Sequence, residues 1–275
     1  MLKANLTHKF STNPVEVERN EWRKQERKKK ARHLLTIASP IFLLAVWEVL
    51  SLTGAIDSRL FPPPTVIIGT LFHMLVSGEL LPDIGISLLR VFGGFFLGAI
   101  AGVVIGLLMG MYIPVRFFVS PLIMALMPIP TLALLPIFIF IFGIGEWAKI
   151  VTIAGSVFFP VAINTMAGVV NIDPIYLDVA KNYGAGSKDF FFKIALPGSL
   201  PVMLEGIQMG QAIALLTIVA AEMMGAHSGI GYLIWTKYKA FLLAQMYVGL
   251  VLISFFGYFF SLLVRWLKVK LIPWQ

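Results

Sequence analysis

Six apolar runs, each about 20 residues or longer, dominate this 275-residue chain. A helix of about 20 mostly apolar residues crosses the hydrocarbon core of a bilayer, so each run is a candidate membrane span. The runs cover approximately 34–54, 86–112, 118–142, 147–169, 198–224 and 244–266. Lipid offers no partner to a free backbone N–H, and single segments of this length therefore cross as helices. The chain is predicted to be an all-α polytopic membrane protein with six transmembrane helices.

The composition favours the same class. Hydrophobic residues make up 58% of the chain and charged residues only 13%, with a mean hydropathy of +0.87. A soluble domain of this length does not hide so much apolar surface. The chain has no cysteine, which excludes disulfides, thiolate metal sites and cysteine nucleophiles.

Positive charge is concentrated at one end of the chain. Ten of the 22 lysines and arginines lie in the first 33 residues. Basic residues beside a span mark its cytoplasmic side, so both termini are predicted to be cytoplasmic. Residues 1–33 are interpreted as a basic arm in contact with water or lipid headgroups, with no nucleic-acid partner. Residues 34–275 form the transmembrane domain.

The second run carries a ridge of glycines. They occur at every fourth position, at Gly94, Gly98, Gly102, Gly106 and Gly110. Glycines at this spacing share one helix face and let another backbone approach closely. The partner is either a helix of the same subunit or a helix of a second subunit.

The third run is interrupted by Pro121, Pro128, Pro130 and Pro136. Each proline removes a backbone donor and disfavours a straight helix. Carbonyls freed at membrane depth are tolerated where they are buried in protein or line a wet cavity. Pro128, Pro130 and Thr131 are therefore candidates for the wall of a translocation path, with a structural kink as the alternative.

The fifth run carries a polar stripe, formed by Glu205, Gln208, Gln211 and Glu222. At about 100° per residue these positions fall within an arc of roughly 120°. An ionisable group is costly to place inside a membrane span, so each one is a candidate functional residue. The stripe either lines a translocation path or pairs with neighbouring helices, and Glu222 has a candidate partner at the same depth in Arg90.

Two further polar residues, Asn164 and Thr165, lie in the fourth run. They line the path or form hydrogen bonds across helices. The sequence has no zinc-binding or nucleophile-elbow motif, and Gly184–Lys188 lacks the spacing of a phosphate-binding loop. No catalytic residue and no metal site are predicted, and ATP, if used, binds to another chain.

The loop between the fourth and fifth runs has a specific spacing. It contains Asp178-Val179-Ala180, and Gly184 follows after three further residues. Nine residues then separate Gly184 from Ile194-x-Leu196-Pro197. This pattern resembles the "EAA" loop of the permease subunits of bacterial ATP-binding-cassette (ABC) importers. It departs from that pattern at two positions, because Asp178 replaces Glu and Val179 replaces Ala.

The resemblance implies that residues of about 171–197 form a coupling loop that seats in a cleft of the ATP-binding subunit. A short coupling helix is expected at about Ala185–Phe190, with a turn at Gly184. The implied coupling residues are Asp178, Ala180, Gly184, Ala185, Gly186, Ser187, Lys188, Asp189, Phe190 and Pro197.

Further motifs narrow the resemblance to the nitrate/sulfonate/taurine/bicarbonate permease group. It covers roughly Phe61 to Leu233. The motifs that carry it are Phe61-Pro62-Pro63-Pro64-Thr65, Ser87-Leu88-Leu89-Arg90-Val91-x-x-Gly94, Pro128-Ile129-Pro130, Phe142-Gly143-Ile144-Gly145-Glu146, Phe158-Phe159-Pro160, Asn164-Thr165 and Ala221-Glu222.

The resemblance implies the type I ABC importer permease fold in a bacterial inner membrane. Such a chain is a non-catalytic subunit that translocates a small solute, expected here to be an anion such as an organosulfonate or taurine, nitrate or bicarbonate. The implied partners are two ATP-binding subunits that hold ATP and Mg, an external binding protein or lipoprotein, and a second permease copy in a homodimer. The alternative, a stand-alone secondary transporter or channel, needs an inverted repeat or strong intramembrane ion ligands.

Overall fold

The computed structural model describes residues 14–273, and α-helices account for nearly all of them. They form two compact units, one ending at Val66 and one beginning at Ile67. The helices are α1 (Pro14–Leu52), α2 (Pro64–Val76), α3 (Leu80–Met111), α4 (Ile113–Leu126), α5 (Leu135–Phe142), α6 (Glu146–Val170), α7 (Pro174–Asn182), α8 (Ser187–Phe190), α9 (Leu196–Gly225), α10 (Ile230–Lys239) and α11 (Leu243–Leu271).

Within residues 14–273, four helices are long and apolar enough to cross a membrane. They are α3, α6, α9 and α11, and they match the second, fourth, fifth and sixth predicted spans. The α9 span begins earlier than predicted, because a π-helical turn at Phe191–Ala195 joins α8 to α9. The first predicted span lies inside α1, whose shorter apolar stretch is Ala38–Leu52, and α1 crosses the predicted boundary at residue 33 without a break.

The predicted break in the third span is present. Helix α4 and the segment Thr131–Phe142 meet at an angle of 82°. Between them Pro130 has an extended backbone with ψ of 113°, and a 3₁₀ turn at Thr131–Leu134 leads into α5. Proline at the start of α5 is compatible with helix because the first-turn N–H groups have no intrahelical partner.

The glycine ridge of α3 packs against α6 of the same chain. A Cβ atom added at Gly106 would stand 2.5 Å from the carbonyl oxygen of Ala162, and one at Gly102 would stand 2.9 Å from that of Phe158. Side chains do not approach backbone atoms so closely, hence this contact requires glycine. The prediction of packing within the subunit is confirmed, and α6 occupies the face that a second subunit would have used.

Side-chain hydrogen bonds connect the end of α1 to the start of α2 and to the segment before it within the first unit. The Glu48 carboxylate accepts hydrogen bonds from Thr65 Oγ1 at 2.6 Å and Thr65 N at 3.1 Å, which caps the start of α2. Ser51 Oγ donates to the carbonyl of Phe61 at 2.8 Å. In the exposed connection, the backbone N–H of Arg59 and then its guanidinium hold the pKa of the Asp57 carboxyl below its ordinary value.

Helix α10 ends on a non-glycine residue in the left-handed region, Phe241, with φ of 58°. The N–H of Leu242 donates to the carbonyl of Lys237 at 2.9 Å, which is the long bond of a Schellman turn, where glycine is favoured. The Phe241 side chain is 78% exposed.

Phe241→Gly is therefore expected to raise the free energy of unfolding by about 1 kcal/mol, measured by thermal unfolding in detergent. Phe241→Ala keeps the backbone strain, and an equal gain from alanine would contradict this explanation.

Candidate translocation groove and coupling loop

The polar stripe of α9 lines an open groove. The groove has a volume of about 680 Å³ and lies between α9 and α11, with one contribution from α6. Four of the predicted path residues line it together, Asn164, Glu205, Gln208 and Gln211. Three of these four residues are amides, which can donate or accept hydrogen bonds without carrying charge.

The two polar neighbours on α6 face different surroundings. Asn164 lines the groove, and its Nδ2 donates to the carbonyl of Pro160 at 2.8 Å. Thr165 is completely buried, and its side chain lies against Gly106 of α3. Thr165 therefore belongs to the α3–α6 contact and is not a path residue.

Helix α11 supplies the opposite wall of the groove, which the sequence reasoning missed. Ile253, Gly257 and Ser261 line it at four-residue intervals. Small and polar residues at this spacing within an apolar run were the available signal. Seven residues beyond Ser261, Lys268 places its Nζ 3.3 Å from Glu205 Oε1, so an ion pair joins the two walls.

Glu222 belongs to a buried polar cluster. Arg90 Nη1 donates to Glu222 Oε1 at 2.7 Å, and Ser87 Oγ lies 2.8 Å from the same oxygen. Arg90 and Glu222 are each only 1% exposed. The predicted pairing of Glu222 with Arg90 is present, and this pair has further partners that the sequence reasoning did not identify.

The second arm of Arg90 reaches α6. Its Nε and Nη2 both donate to the carboxylate of Glu146, the Nη2 bond being 2.8 Å long. Nearby, Lys149 Nζ donates to the carbonyl of Gly145 at 3.2 Å. The guanidinium of Arg90 on α3 thus binds one carboxylate of α6 and one of α9 in a fixed geometry. These bonds hold the three helices together at one point.

The same cluster caps the N-terminus of α10. The N–H of Gly229 donates to Asp83 Oδ1 at 2.7 Å, that of Ile230 to Ser87 Oγ at 2.8 Å and that of Gly231 to Glu222 Oε2 at 2.8 Å. Carboxylates at a helix N-terminus satisfy its free N–H groups and oppose its dipole. We name Asp83, Ser87, Arg90, Glu146 and Glu222 the Arg90 cluster.

The residues predicted at the break of the third span are not brought to the groove. Pro128 and Pro130 are exposed, and Thr131 is half-buried with its methyl group over Gly155 of α6. None of the three is among the described residues that line the groove. Their part in a path wall stays a prediction.

The predicted turn of the coupling loop is present. Gly184 has φ of +68°, and the N–H of Ala185 donates to the carbonyl of Ala180 at 2.9 Å. This arrangement ends α7 in a Schellman turn, for which glycine is suited. Helix α8 then covers Ser187–Phe190, inside the predicted coupling helix, and Pro197 is the second residue of α9.

The coupling loop is anchored at one end and exposed along its outer face. Phe190 and Phe191 pack against the buried cluster of Leu107, Val169 and Ala195, which joins the loop to α3 and α6. Most of the other predicted coupling residues with described side chains are exposed, namely Asp178, Gly184, Ala185, Gly186, Lys188 and Asp189. Ala180, by contrast, is buried.

A comparison with known families identifies the chain. Residues 94–274, which include the C-terminal part of α3, all of α6 and α9, the groove and the coupling loop, match the family described as "Binding-protein-dependent transport system inner membrane component". The chain belongs to this family. It is a membrane permease of an ABC importer, and its family is one of transport subunits rather than of enzymes.

Individual relatives agree with this assignment over most of their length. The permease is 33% identical to the putative aliphatic sulfonates transport permease protein SsuC of Bacillus subtilis, over 92% of each chain. It is 29% identical to the taurine transport system permease protein TauC of Escherichia coli, over 88% of this chain and 90% of that one. It is also 33% identical to the nitrate import permease protein NrtB of Synechococcus elongatus, over 88% and 91%.

A solved structure shares the fold. The permease aligns with a chain of the MetNI methionine ABC transporter in an inward-facing conformation, with a TM-score of 0.63. The alignment covers 69% of this chain and 94% of that chain at 20% sequence identity. The predicted type I importer permease fold is confirmed.

Proposed function

We propose that the permease imports a small oxyanion, such as an organosulfonate or taurine, nitrate or bicarbonate. An external binding protein or lipoprotein delivers the solute. The names of the relatives, which concern sulfonates, taurine and nitrate, support this substrate class. The amide-lined groove supports it independently, because amide N–H groups can hydrogen-bond an oxyanion without holding it as tightly as a fixed cation would.

We assign the translocation path to the groove. Asn164, Gln208 and Gln211 lie on its wall with Glu205, whereas Glu222 is enclosed by Arg90 and Ser87. Glu222 therefore holds the outer end of the helices together and does not touch the solute. Pro128, Pro130 and Thr131 of the broken third span contribute to a path wall outside this groove.

The coupling loop is the docking surface for an ATP-binding subunit. Tyr176 on α7 and Tyr183 in the turn after it are 60% and 87% exposed, and exposed aromatic residues in a loop between spans favour a protein partner. Two such subunits hold ATP and Mg, and the permease itself does no chemistry. A second copy of the permease completes a homodimer.

Both termini lie on the cytoplasmic side in this proposal. The positive-inside rule supports it, since ten lysines and arginines lie in residues 1–33. This arm contacts water or lipid headgroups. Cysteines introduced near each terminus of this cysteine-free chain should react with impermeant thiol reagents only in inside-out vesicles, and labelling in intact cells would contradict the orientation.

A substitution at Gly184 tests the coupling assignment. Gly184→Val places a β-branched residue at φ of +68°, which costs about 1–2 kcal/mol in that conformation. About 1.4 kcal/mol corresponds to a tenfold change in an equilibrium. ATP-driven uptake by the reconstituted complex, and ATP hydrolysis stimulated by the binding protein, are therefore expected to fall about tenfold, while membrane insertion is unchanged.

Gly78→Val is the matched control. Gly78 has φ of +78°, and neither glycine has a neighbouring atom within 4 Å of an added Cβ. The control therefore imposes the same backbone strain outside the coupling loop, between α2 and α3. Uptake that survives Gly184→Val, or that falls equally in Gly78→Val, would show that Gly184 has no special part in coupling.

A further inference from the structure

The groove ends at an ion pair. On the α11 wall, Lys268 lies two helical turns beyond Ser261 and so follows the same ridge of the helix. On the α9 wall, Glu205 lies one turn before Gln208 and Met209. The 3.3 Å contact between Lys268 Nζ and Glu205 Oε1 bridges the two walls. Because α9 begins and α11 ends at the coupling-loop side of the chain, this bridge marks the inner mouth of the groove.

Burial indicates that the pair is not there mainly for stability. The side chain of Glu205 is 61% exposed and that of Lys268 is 33% exposed. Ion pairs at this exposure contribute little to folding, because water screens the charges and ordering long side chains costs entropy. The Arg90 cluster differs in this respect, since Arg90 and Glu222 are almost completely buried.

We propose that Glu205 and Lys268 form a charge gate for anions at the inner mouth of the groove. This inference rests on the proposed function, in which the groove carries a small oxyanion. Glu205 alone would repel such a solute, and Lys268 cancels that repulsion. The ammonium of Lys268 also gives the solute a partner as it displaces the carboxylate. Glu205 then recaptures Lys268, so that the solute is released and not retained.

The two charges therefore have unequal effects on transport. Lys268→Gln leaves a bare carboxylate in the mouth, and uptake of an anion is expected to fall about tenfold. Glu205→Gln removes the carboxylate that competes with the solute for Lys268, so release is slower and uptake is expected to fall about threefold. The double variant Glu205→Gln/Lys268→Gln has an uncharged mouth and is expected to recover most of the uptake lost in Lys268→Gln.

Lys270→Gln is the matched control. Lys270 lies on α11 two residues beyond Lys268, which places it on a different face, and its Nζ stands 5.1 Å from the centre of the Trp266 ring. Its removal deletes a cation at similar depth without touching Glu205. Uptake by this variant is expected to match wild type.

The experiment measures ATP-driven uptake of labelled ethanesulfonate and of nitrate. It uses liposomes that contain the permease with its ATP-binding subunits, supplied with the binding protein. A merely structural link between α9 and α11 predicts equal losses in the two single variants and no recovery in the double variant, and that result would overturn the charge gate. So would a Lys268→Gln loss no larger than that of Lys270→Gln. If wild type takes up neither anion, the proposed substrate class is wrong and the gate fails with it.

Discussion

Arg90→Gln is expected to destabilise the permease by about 3–5 kcal/mol, enough to prevent accumulation of folded protein in the membrane. The arginine is 1% exposed, and it satisfies the equally buried carboxylate of Glu222. Removing one partner of a buried ion pair leaves the other charge without compensation. The loss is measured as the midpoint of thermal unfolding in detergent and as the yield of monodisperse protein.

The size of this effect follows from the number of helices that Arg90 joins. Its guanidinium bonds to Glu146 at the start of α6, to Glu222 near the end of α9 and to the carbonyl of Ser228 at 2.7 Å. Glu222 in turn accepts the N–H of Gly231. Losing the guanidinium therefore leaves several polar groups of a buried network unsatisfied at once, which costs more than a single exposed hydrogen bond.

Two variants separate this explanation from a general effect of losing an arginine. Arg59→Gln removes an exposed guanidinium whose partner is Asp57, and the unfolding midpoint is expected to be unchanged. In the Arg90→Gln background, Glu222→Gln removes the unpaired charge while its amide oxygen can still accept from Gly231. The double variant should be more stable than Arg90→Gln alone. If it is less stable, the buried charge of Glu222 is not the main cause.

Much of the membrane-spanning architecture was predictable because it depends on local composition. Apolar runs predicted the positions of α3, α6, α9 and α11. Prolines predicted an interruption of the third span, which the structure shows as a bend of 82°. The bend at Gly184 was predictable for a similar reason, since a left-handed backbone favours one residue type. The first span was less well defined, because the polar arm and the apolar stretch form one helix and only Ala38–Leu52 is distinctly apolar.

The Arg90 cluster was only partly predictable because its members are far apart in sequence. Depth in the membrane suggested Arg90 and Glu222, which are 132 residues apart, but no local pattern indicated Glu146 as a second partner of Arg90. Asp83, Ser87 and Arg90 are spaced at four and three residues, so they share one face of α3. That spacing was an available signal, but their partners depend on how α10 folds back, which no local pattern determines.

The groove shows the same division between local and tertiary information. The α9 stripe was predictable from helical periodicity, and three of its four members, Glu205, Gln208 and Gln211, do line one groove. Helical periodicity alone could not separate Glu222 from them, because it places all four within one arc. The difference arises from α3, which presents Arg90 only to the C-terminal end of α9. Similarly, Lys268 pairs with Glu205 only because α11 packs beside α9.

Substitution of Gly98 is expected to have the second large effect, because α3 and α6 touch backbone to backbone there. A Cβ atom at this position would stand 2.9 Å from Ala154 Cα and closer still to the Ala154 carbonyl oxygen. Neither atom can move without displacing α6. Gly98→Ala is expected to lower the free energy of unfolding by about 1–3 kcal/mol, and Gly98→Leu is expected to yield no folded permease.

Gly93→Ala is the matched control on the same helix. Its added Cβ would meet only the Ile150 side chain, at an ordinary distance of 3.5 Å, and alanine favours helix over glycine by about 1 kcal/mol. The two Gly→Ala changes should therefore shift the thermal unfolding midpoint in opposite directions. If both positions tolerate alanine equally, α3 and α6 do not approach each other as closely as the glycine ridge requires. A folded Gly98→Leu variant would lead to the same conclusion.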